Sequence, residues 1–241
     1  MPTERWHAAS FLEWPTAIAR QEEKLAVAEE VAGLARDGET VGIGSGSTAY
    51  LSLWALAERA KSTGLSIAVI PTSYETEIAA TTLGLPLRRL GQDMPSWIVD
   101  GADEVDESMR VLKGRGGALF RERLLWATSK RRILAIDSSK RVARVGLNFP
   151  LPIEVHPNAT TILLEFLETA GCTNAVLRLT SGKDGPLITE SGFFIMDATF
   201  DSIPDGTHAQ LKQLPGVLET GLFEGYDFEI IEGPYSRAQA T

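Results

Sequence analysis

Two clusters in this 241-residue chain, and one glutamate within the second, have the residue types and spacing for chemistry. The first is VGIGSGSTAY, residues 41–50, which packs Gly42, Gly44 and Gly46 together with Ser45, Ser47 and Thr48 as a strand-like run gives way to a helical one. A glycine-rich turn at that point in a parallel α/β sheet binds anionic groups, using backbone N–H donors and a helix N-terminus. A dinucleotide site would want G-x-G-x-x-G and an acidic residue closing the next strand. Here the order is G-x-G-S-G-S-T, and the next strand-like run, SIAVI, ends in Pro71-Thr72. No Walker lysine follows to suggest a nucleoside triphosphate. Two readings remain. Either the hydroxyls and amides of Ser45, Ser47 and Thr48 surround one phosphate, or the glycines serve a tight turn and Ser47 or Thr48 caps the following helix.

The second cluster is WIVDGADEVDESMRVLKGRGGALFRERLL, residues 97–125. An apolar strand runs into Asp100 and Asp103, and Lys113, Gly114, Gly116 and Gly117 follow. Carboxylates at the carboxyl end of a parallel strand face the binding crevice. Either aspartate alone would also suit a solvated turn or a helix cap, and Glu104, Asp106 and Glu107 read as surface charges of that kind. The third feature is Glu122. In GGALFRERLLWA, Ala118, Glu122 and Leu125 share one helical face, whereas Arg121 and Arg123 point elsewhere. A carboxylate among apolar neighbours is desolvated, which makes it the stronger base when it ionises.

These residues need a frame. TVGI at 40–43, SIAVI at 66–70, WIV at 97–99 and RILAI at 132–136 read as strands. Helical patterns lie between them and end in glycine, as in TAYLSLWALAERAKSTG and YETEIAATTLG; another, from Arg20, precedes them. Strand and helix in alternation predict a mostly parallel sheet covered on both faces. Beyond about Gly146 the texture changes: FPLPIEV, AVLRLT and GFFIMDATF read as strands, and NATTILLEFLETAG and AQLKQLPG as helices. That is a compact α+β unit. The tail TGLFEGYDFEIIEG is predicted to return to the first sheet, which makes the second unit an insertion.

Composition narrows the function. A formal net charge of −9 opposes a polyanion-binding surface, so no nucleic-acid partner is expected, while a small anionic metabolite needs only a few local cations. The single cysteine, Cys172, excludes an intramolecular disulfide and a thiolate zinc cluster, and it reads as a half-buried thiol. His7, His156 and His208 lie far apart without ligand spacing, and His156 in EVHPN reads as a packed or turn histidine. The start, MPTERWHAASFLEWPTAIAR, lacks a signal-peptide core, and no 18-residue apolar run occurs. A cytoplasmic, unprocessed chain with no membrane partner is expected.

Taken together, these stretches resemble ribose-5-phosphate isomerase of the A type over nearly the whole chain. VGIGSGSTA resembles that family's phosphate loop, PTSYETEIAATTLGLPL its second strand and helix, VDGADEVD its acidic turn and KGRGGALFRE its lysine-glycine-glutamate segment. ILAIDSSK and FPLPIEV match in order. The resemblance implies an open, mostly parallel, Rossmann-like α/β sheet with helices on both faces, residues 1–146 and 221–241. A smaller α+β, ferredoxin-like inserted domain, 147–220, would act as a lid or in oligomerisation. It further implies a sugar-phosphate substrate, no cofactor, no metal, and a homodimer or homotetramer.

By the same resemblance, Ser45, Gly46, Ser47 and Thr48 hold substrate, joined by Asp100, Gly101, Ala102 and Asp103, by Lys113, Gly114, Arg115 and Gly116, and by Lys140. Lys24, on the first helix, matches a lysine near the phosphate. Glu122 falls at the general base, with Asp100, Asp103 and Lys113 as the other catalytic groups. Such an enzyme works through a cis-enediolate. Glu122 would carry the proton between C2 and C1, Lys113 would offset charge on O1 or O2, and Asp100 with Asp103 would assist ring opening and orient hydroxyls. Departures from the family pattern are Ser45 in place of a frequent threonine, Arg115 within a glycine run, the SYETE exit from the second strand, and the ending EIIEGPYSRAQAT. The amino-terminal extension with Trp6 and Trp14 reads as a packing or subunit-contact segment.

Two rivals make different demands. A sugar-phosphate sensor would need a helix-turn-helix segment and basic residues, and neither is seen. A deaminase or coenzyme A transferase on the same scaffold is the other alternative, since fold alone does not fix chemistry. A deaminase would use histidine in ring opening, and none lies between VDGADEVD and FRERLL.

Overall fold

The computed structural model describes residues 17–182 and 184–233. The reading of Trp6 and Trp14 lies outside them, as does the ending beyond Gly233. Chain contacts divide the protein into two compact units, one of Met1–Gly101, Leu125–Ser138 and Phe228–Thr241, the other of Ala102–Leu124 and Ser139–Asp227. The boundaries read from the sequence, 147 and 220, assign Ala102–Leu124, 139–146 and 221–227 instead to the first part.

The first unit opens with α1 (Gln21–Gly33), whose Lys24, Val27, Ala28, Val31 and Ala32 are buried at helical spacing. Next come β1 (Thr40–Ile43), α2 (Gly46–Thr63), β2 (Ala68–Pro71), α3 (Tyr74–Thr82) and β3 (Trp97–Asp100). The four strands read from the sequence all form, within a residue or two. β3 leads in the second unit to β4 (Glu104–Val105), β5 (Val111–Leu112) and α4 (Leu119–Thr128), a helix that begins there and ends in the first unit. β6 (Arg131–Ile136) then returns to the first sheet.

The second unit continues with β7 (Leu151–Val155), α5 (Thr160–Thr169), β8 (Cys172–Leu177), β9 (Phe194–Phe200), α6 (Thr207–Leu211), β10 (Val217–Thr220) and β11 (Leu222–Phe223). β12 (Glu229–Glu232) closes the first sheet. That sheet has the order β12-β6-β3-β1-β2 and is parallel throughout. Val41, Ile43, Val69, Trp97, Val99, Ile133 and Ala135 point to one face, where α1 and α2 pack in a continuous apolar core. On the other face Gly42 lies against Ile98 and Leu125 of α4. The expected return of the tail therefore occurs, through Glu229–Glu232 against β6.

In the second unit, β7-α5-β8-β9-α6-β10 builds an antiparallel sheet of order β10-β7-β9-β8, the split βαβ arrangement of ferredoxin-like folds. The AQLKQLPG helix is shorter and earlier than read, a five-residue turn at Thr207–Leu211 entered through left-handed Gly206. Leu222 and Phe223 do not join the first sheet. They pair with β5 in a three-stranded sheet of order β11-β5-β4.

Candidate active site

In the first unit the alternating glycines have distinct causes. A Cβ on Gly42 would stand 3.1 Å from Ile98 Cβ and 3.3 Å from Leu125, so glycine lets α4 close on the sheet. A Cβ on Gly44 would overlap the Asp100 carboxylate and lie 2.9 Å from Asp100 Cα. Gly46 has φ 84°, the left-handed region glycine favours. The first cluster thus makes room for the second: Asp100, at the end of β3, is fully buried behind Gly44. Its Oδ1 accepts the Gly101 N–H at 2.8 Å, and its Oδ2 accepts the Trp126 indole N–H at 3.0 Å.

α2 starts at Gly46, and its N-cap, Ser45, makes no side-chain capping hydrogen bond. Gly46, Ser47 and Thr48 occupy the first turn, the positive end of the helix dipole. Buried Lys24 donates from Nζ to Ser47 Oγ at 3.1 Å and lies 3.6 Å from Asp137 Oδ2. Gly101 sits beside Thr48. The unit therefore gathers Lys24, the Ser45–Thr48 loop, Asp100 and Gly101 at the carboxyl ends of β1 and β3.

In the second unit an unread hairpin does the gathering. β4 and β5 pair with Glu104 opposite Leu112, and the Asp103 N–H donates to Leu112 O at 2.8 Å, which sets Asp103 and Lys113 at the same end. The reading of Glu104 and Asp106 as surface charges is wrong. Glu104 is fully buried and accepts the N–H groups of Gly146, Leu147 and Asn148. Asp106 is 2 % exposed and accepts from the Ser108, Arg110 and Val145 N–H groups and from the Arg110 side chain. Both carboxylates order loops, and only Glu107 faces water. A carboxylate that collects several N–H groups is stable when buried, a fate the local sequence does not reveal.

Lys113 and Glu122 are both buried, with Nζ and Oε2 3.5 Å apart. The Lys113 ammonium also lies 5.7 Å from the centre of the Phe223 ring, and the Lys113 N–H donates to Gly221 O at 2.8 Å. Glu122 occupies the apolar face of α4 as read. Arg123, read as pointing away from it, is buried too. Its guanidinium stacks 3.7 Å over Phe223, pairs with Glu219 at 3.1 Å, and donates to the carbonyls of Thr220 and Leu222. Those partners come from β10 and β11, some hundred residues away, so helical periodicity carried no sign of them. Arg121 is half-buried and pairs with Glu190.

Asp103 accepts the Arg115 N–H at Oδ2, 3.1 Å away. Burial pushes its carboxyl above the usual range, although the Arg115 N–H and the charges of Lys113 and Lys140 pull the other way. Gly114 has φ 103°, and a Cβ there would overlap Leu119. The Arg115 guanidinium lies 5.7 Å from the centre of the Phe149 ring, and Lys140 Nζ lies 5.9 Å from the same ring centre. Gly116 is exposed, and Ala102 half-buried. Among the described residues, no group of three or more His, Cys, Asp or Glu side chains is arranged to hold a metal ion. His156 accepts the Asn158 N–H and packs edge-on against Phe193, the turn histidine expected of EVHPN. Cys172 is half-buried.

The chain as a whole is similar to known proteins in sequence and in fold. Residues 68–234 match the family model for ribose 5-phosphate isomerase A (phosphoriboisomerase A). A ribose-5-phosphate isomerase A of Bacillus mycoides is 41% identical over 199 residues, covering 81% of this chain and 88% of that protein. The solved ribose 5-phosphate isomerase A of Methanocaldococcus jannaschii superposes with a TM-score of 0.86 at 34% identity, covering 90% of this chain and 96% of that one. A D-ribose-5-phosphate isomerase solved in complex with phospho-erythronic acid matches with the same TM-score at 35% identity, again over 90% and 96%. With a parallel sheet, an inserted ferredoxin-like sheet and a matching sequence over most of its length, the chain belongs to the ribose 5-phosphate isomerase A family.

Proposed function

We propose that the protein is an aldose-ketose isomerase interconverting D-ribose 5-phosphate and D-ribulose 5-phosphate through a cis-enediolate. The observation that carries this reading is the buried pairing of Lys113 with Glu122 beside Asp103. Moving a proton between adjacent carbons needs one base that both takes and returns it, and a cation where oxygen gains charge. Glu122 takes the C2 proton and delivers it to C1. Lys113 offsets the charge that develops on O1 or O2. Asp100 and Asp103 assist ring opening and orient the hydroxyls. Lys24 and the first turn of α2, Ser45 to Thr48, bind the phosphate, and Gly101, Ala102, Gly114, Arg115, Gly116 and Lys140 complete the substrate contacts. The phospho-erythronic acid bound by a related enzyme, a phosphorylated sugar acid, suits such a site.

The reading extends to the non-oxidative pentose phosphate pathway, to the cytoplasm and to a homodimer or homotetramer in which the smaller domain, 147–220, takes part. Among the described residues no helix is long and apolar enough to cross a membrane. The exposed Ile162, Leu164, Val176, Leu179 and Ile188 in that domain favour burial against further copies of the chain.

The direct test is to mix the purified protein with ribose 5-phosphate and, separately, with hexose and amino-sugar phosphates, and to follow ketose formation. Ketose from ribose 5-phosphate is expected, and no turnover of any pentose phosphate overturns the reading. Lys140→Ala tests the binding role: removing a single substrate-contacting cation is expected to raise KM several-fold with kcat nearly kept. A fall in kcat at unchanged KM would put Lys140 in the chemical step.

A further inference from the structure

The peptide unit joining Gly114 to Arg115 is held on both of its polar sides. Its N–H donates to Asp103 Oδ2 at 3.1 Å, and its carbonyl accepts from Arg178 Nη1 at 2.8 Å. The same nitrogen donates to the next carbonyl, that of Arg115, at 2.9 Å. The other edge of the Arg178 guanidinium is occupied by Asp197 on β9, with Nε donating to Oδ2 at 2.8 Å and Nη2 to Oδ1. Arg178 itself follows β8 directly and is fixed by its own backbone, N–H to Ile195 O at 2.8 Å and carbonyl to the Leu187 N–H at 2.7 Å. Asp103, Arg115, Phe149, Arg178 and Asp197 border one cavity of about 220 Å³.

We propose that Arg178, oriented by Asp197, is a positioning residue for the isomerase: it clamps the Gly114–Arg115 peptide so that its N–H stays aimed at the Asp103 carboxylate. The inference rests on the reading of Asp103 given under the proposed function. Only a guanidinium has the fork to hold a carboxylate and two carbonyls at once, since lysine offers a single point of charge. A cation against the carbonyl polarises the peptide and strengthens the N–H donor at its far end. The arrangement also accounts for an arginine within a glycine run. Gly114 must be glycine, but at position 115 the backbone makes the contact while the side chain lies over Phe149.

Asp103 faces Lys113 and Lys140, which favour its ionised form, and Glu122, which opposes it; burial opposes it most. Loss of Arg178 frees the N–H donor and takes the guanidinium partner from Asp197, an anion that borders the same cavity as Asp103. Both changes favour the protonated carboxyl, so Asp103 would titrate at higher pH.

Arg178→Met is expected to lower kcat/KM by roughly 10- to 100-fold, as losing a partner that orients an active-site group does. The acid limb of the kcat/KM–pH profile should move to higher pH. In an Asp103→Asn background the same substitution should add at most about a twofold loss, because the group it positions is already changed. Arg178→Lys, which keeps the charge without the fork, should move both readouts in the same direction by less, and it replaces Arg178→Met if that variant does not fold. A folded variant with wild-type kcat/KM and acid limb overturns the clamp, as does a full loss that persists with Asp103→Asn. Turnover by the unmutated protein is measured first, so that inactivity there counts against the isomerase reading and not against the clamp.

Discussion

Glu122→Gln is expected to lower kcat by roughly 10² to 10⁴, the span of a positioned acid-base group, while substrate still binds. The amide keeps the size of the side chain but cannot take the C2 proton. Because Lys113 Nζ lies 3.5 Å from Glu122 Oε2 and both are buried, the variant also removes a negative charge from beside a buried ammonium, and its melting temperature should fall as well. The two effects are separable. Glu122→Asp keeps the negative charge but draws the carboxylate back by one methylene, so its melting temperature should recover further than its kcat. Melting temperature, substrate affinity and kcat measured on one preparation decide the matter. A folded Glu122→Gln that retains more than about a third of its kcat removes Glu122 from the mechanism.

The second large effect is expected at Gly44. An added Cβ would overlap the Asp100 carboxylate and crowd its Cα, and Asp100 has no room to retreat. Its backbone is in the parallel sheet, paired with Leu134, and its two oxygens are held by Gly101 and Trp126. Overpacking of this kind costs about 1–3 kcal/mol, and displacing a reacting group by about 1 Å can cost 10²-fold in rate. Gly44→Ala should therefore lose stability and most of its kcat together. Gly46→Ala is the control: open space surrounds that position, and only its φ of 84° resists a side chain. It should lose some stability and bind phosphate less well while keeping much more of its kcat. Equal behaviour of the two variants would refute the close approach of Gly44 to Asp100.

These glycines mark the limit of what neighbouring residues determine. From the sequence, Gly42, Gly44 and Gly46 belonged either to a phosphate loop or to a tight turn, and nothing within ten residues could separate their roles. The structure gives Gly42 to helix packing, Gly44 to a carboxylate 56 residues away and Gly46 to backbone conformation. The same limit applied to charge. Glu104 and Asp106 look like solvated acids in DEVDE, yet each is buried by N–H groups that include loop residues near 145. Arg123 follows Glu122 on a helix whose period separates them, yet both are buried, because Phe223 and Glu219 cover the arginine.

What the sequence determined by itself is whatever depends on neighbours in the chain. Short runs of apolar and β-branched residues specified β1, β2, β3 and β6, the apolar spacing of α1 specified its buried stripe, and the change of texture after Gly146 marked a second fold. The motifs themselves, from VGIGSGSTA to KGRGGALFRE, were legible because each is contiguous. The tertiary structure alone decided what depends on approach across the fold: the β4–β5 hairpin and its third strand β11, the Trp126 hydrogen bond that fixes Asp100, and the grip of Arg178 on the Gly114–Arg115 peptide. Periodicity reports which side of an element is buried but not against what, and partners for buried charge are chosen by geometry between segments far apart in sequence.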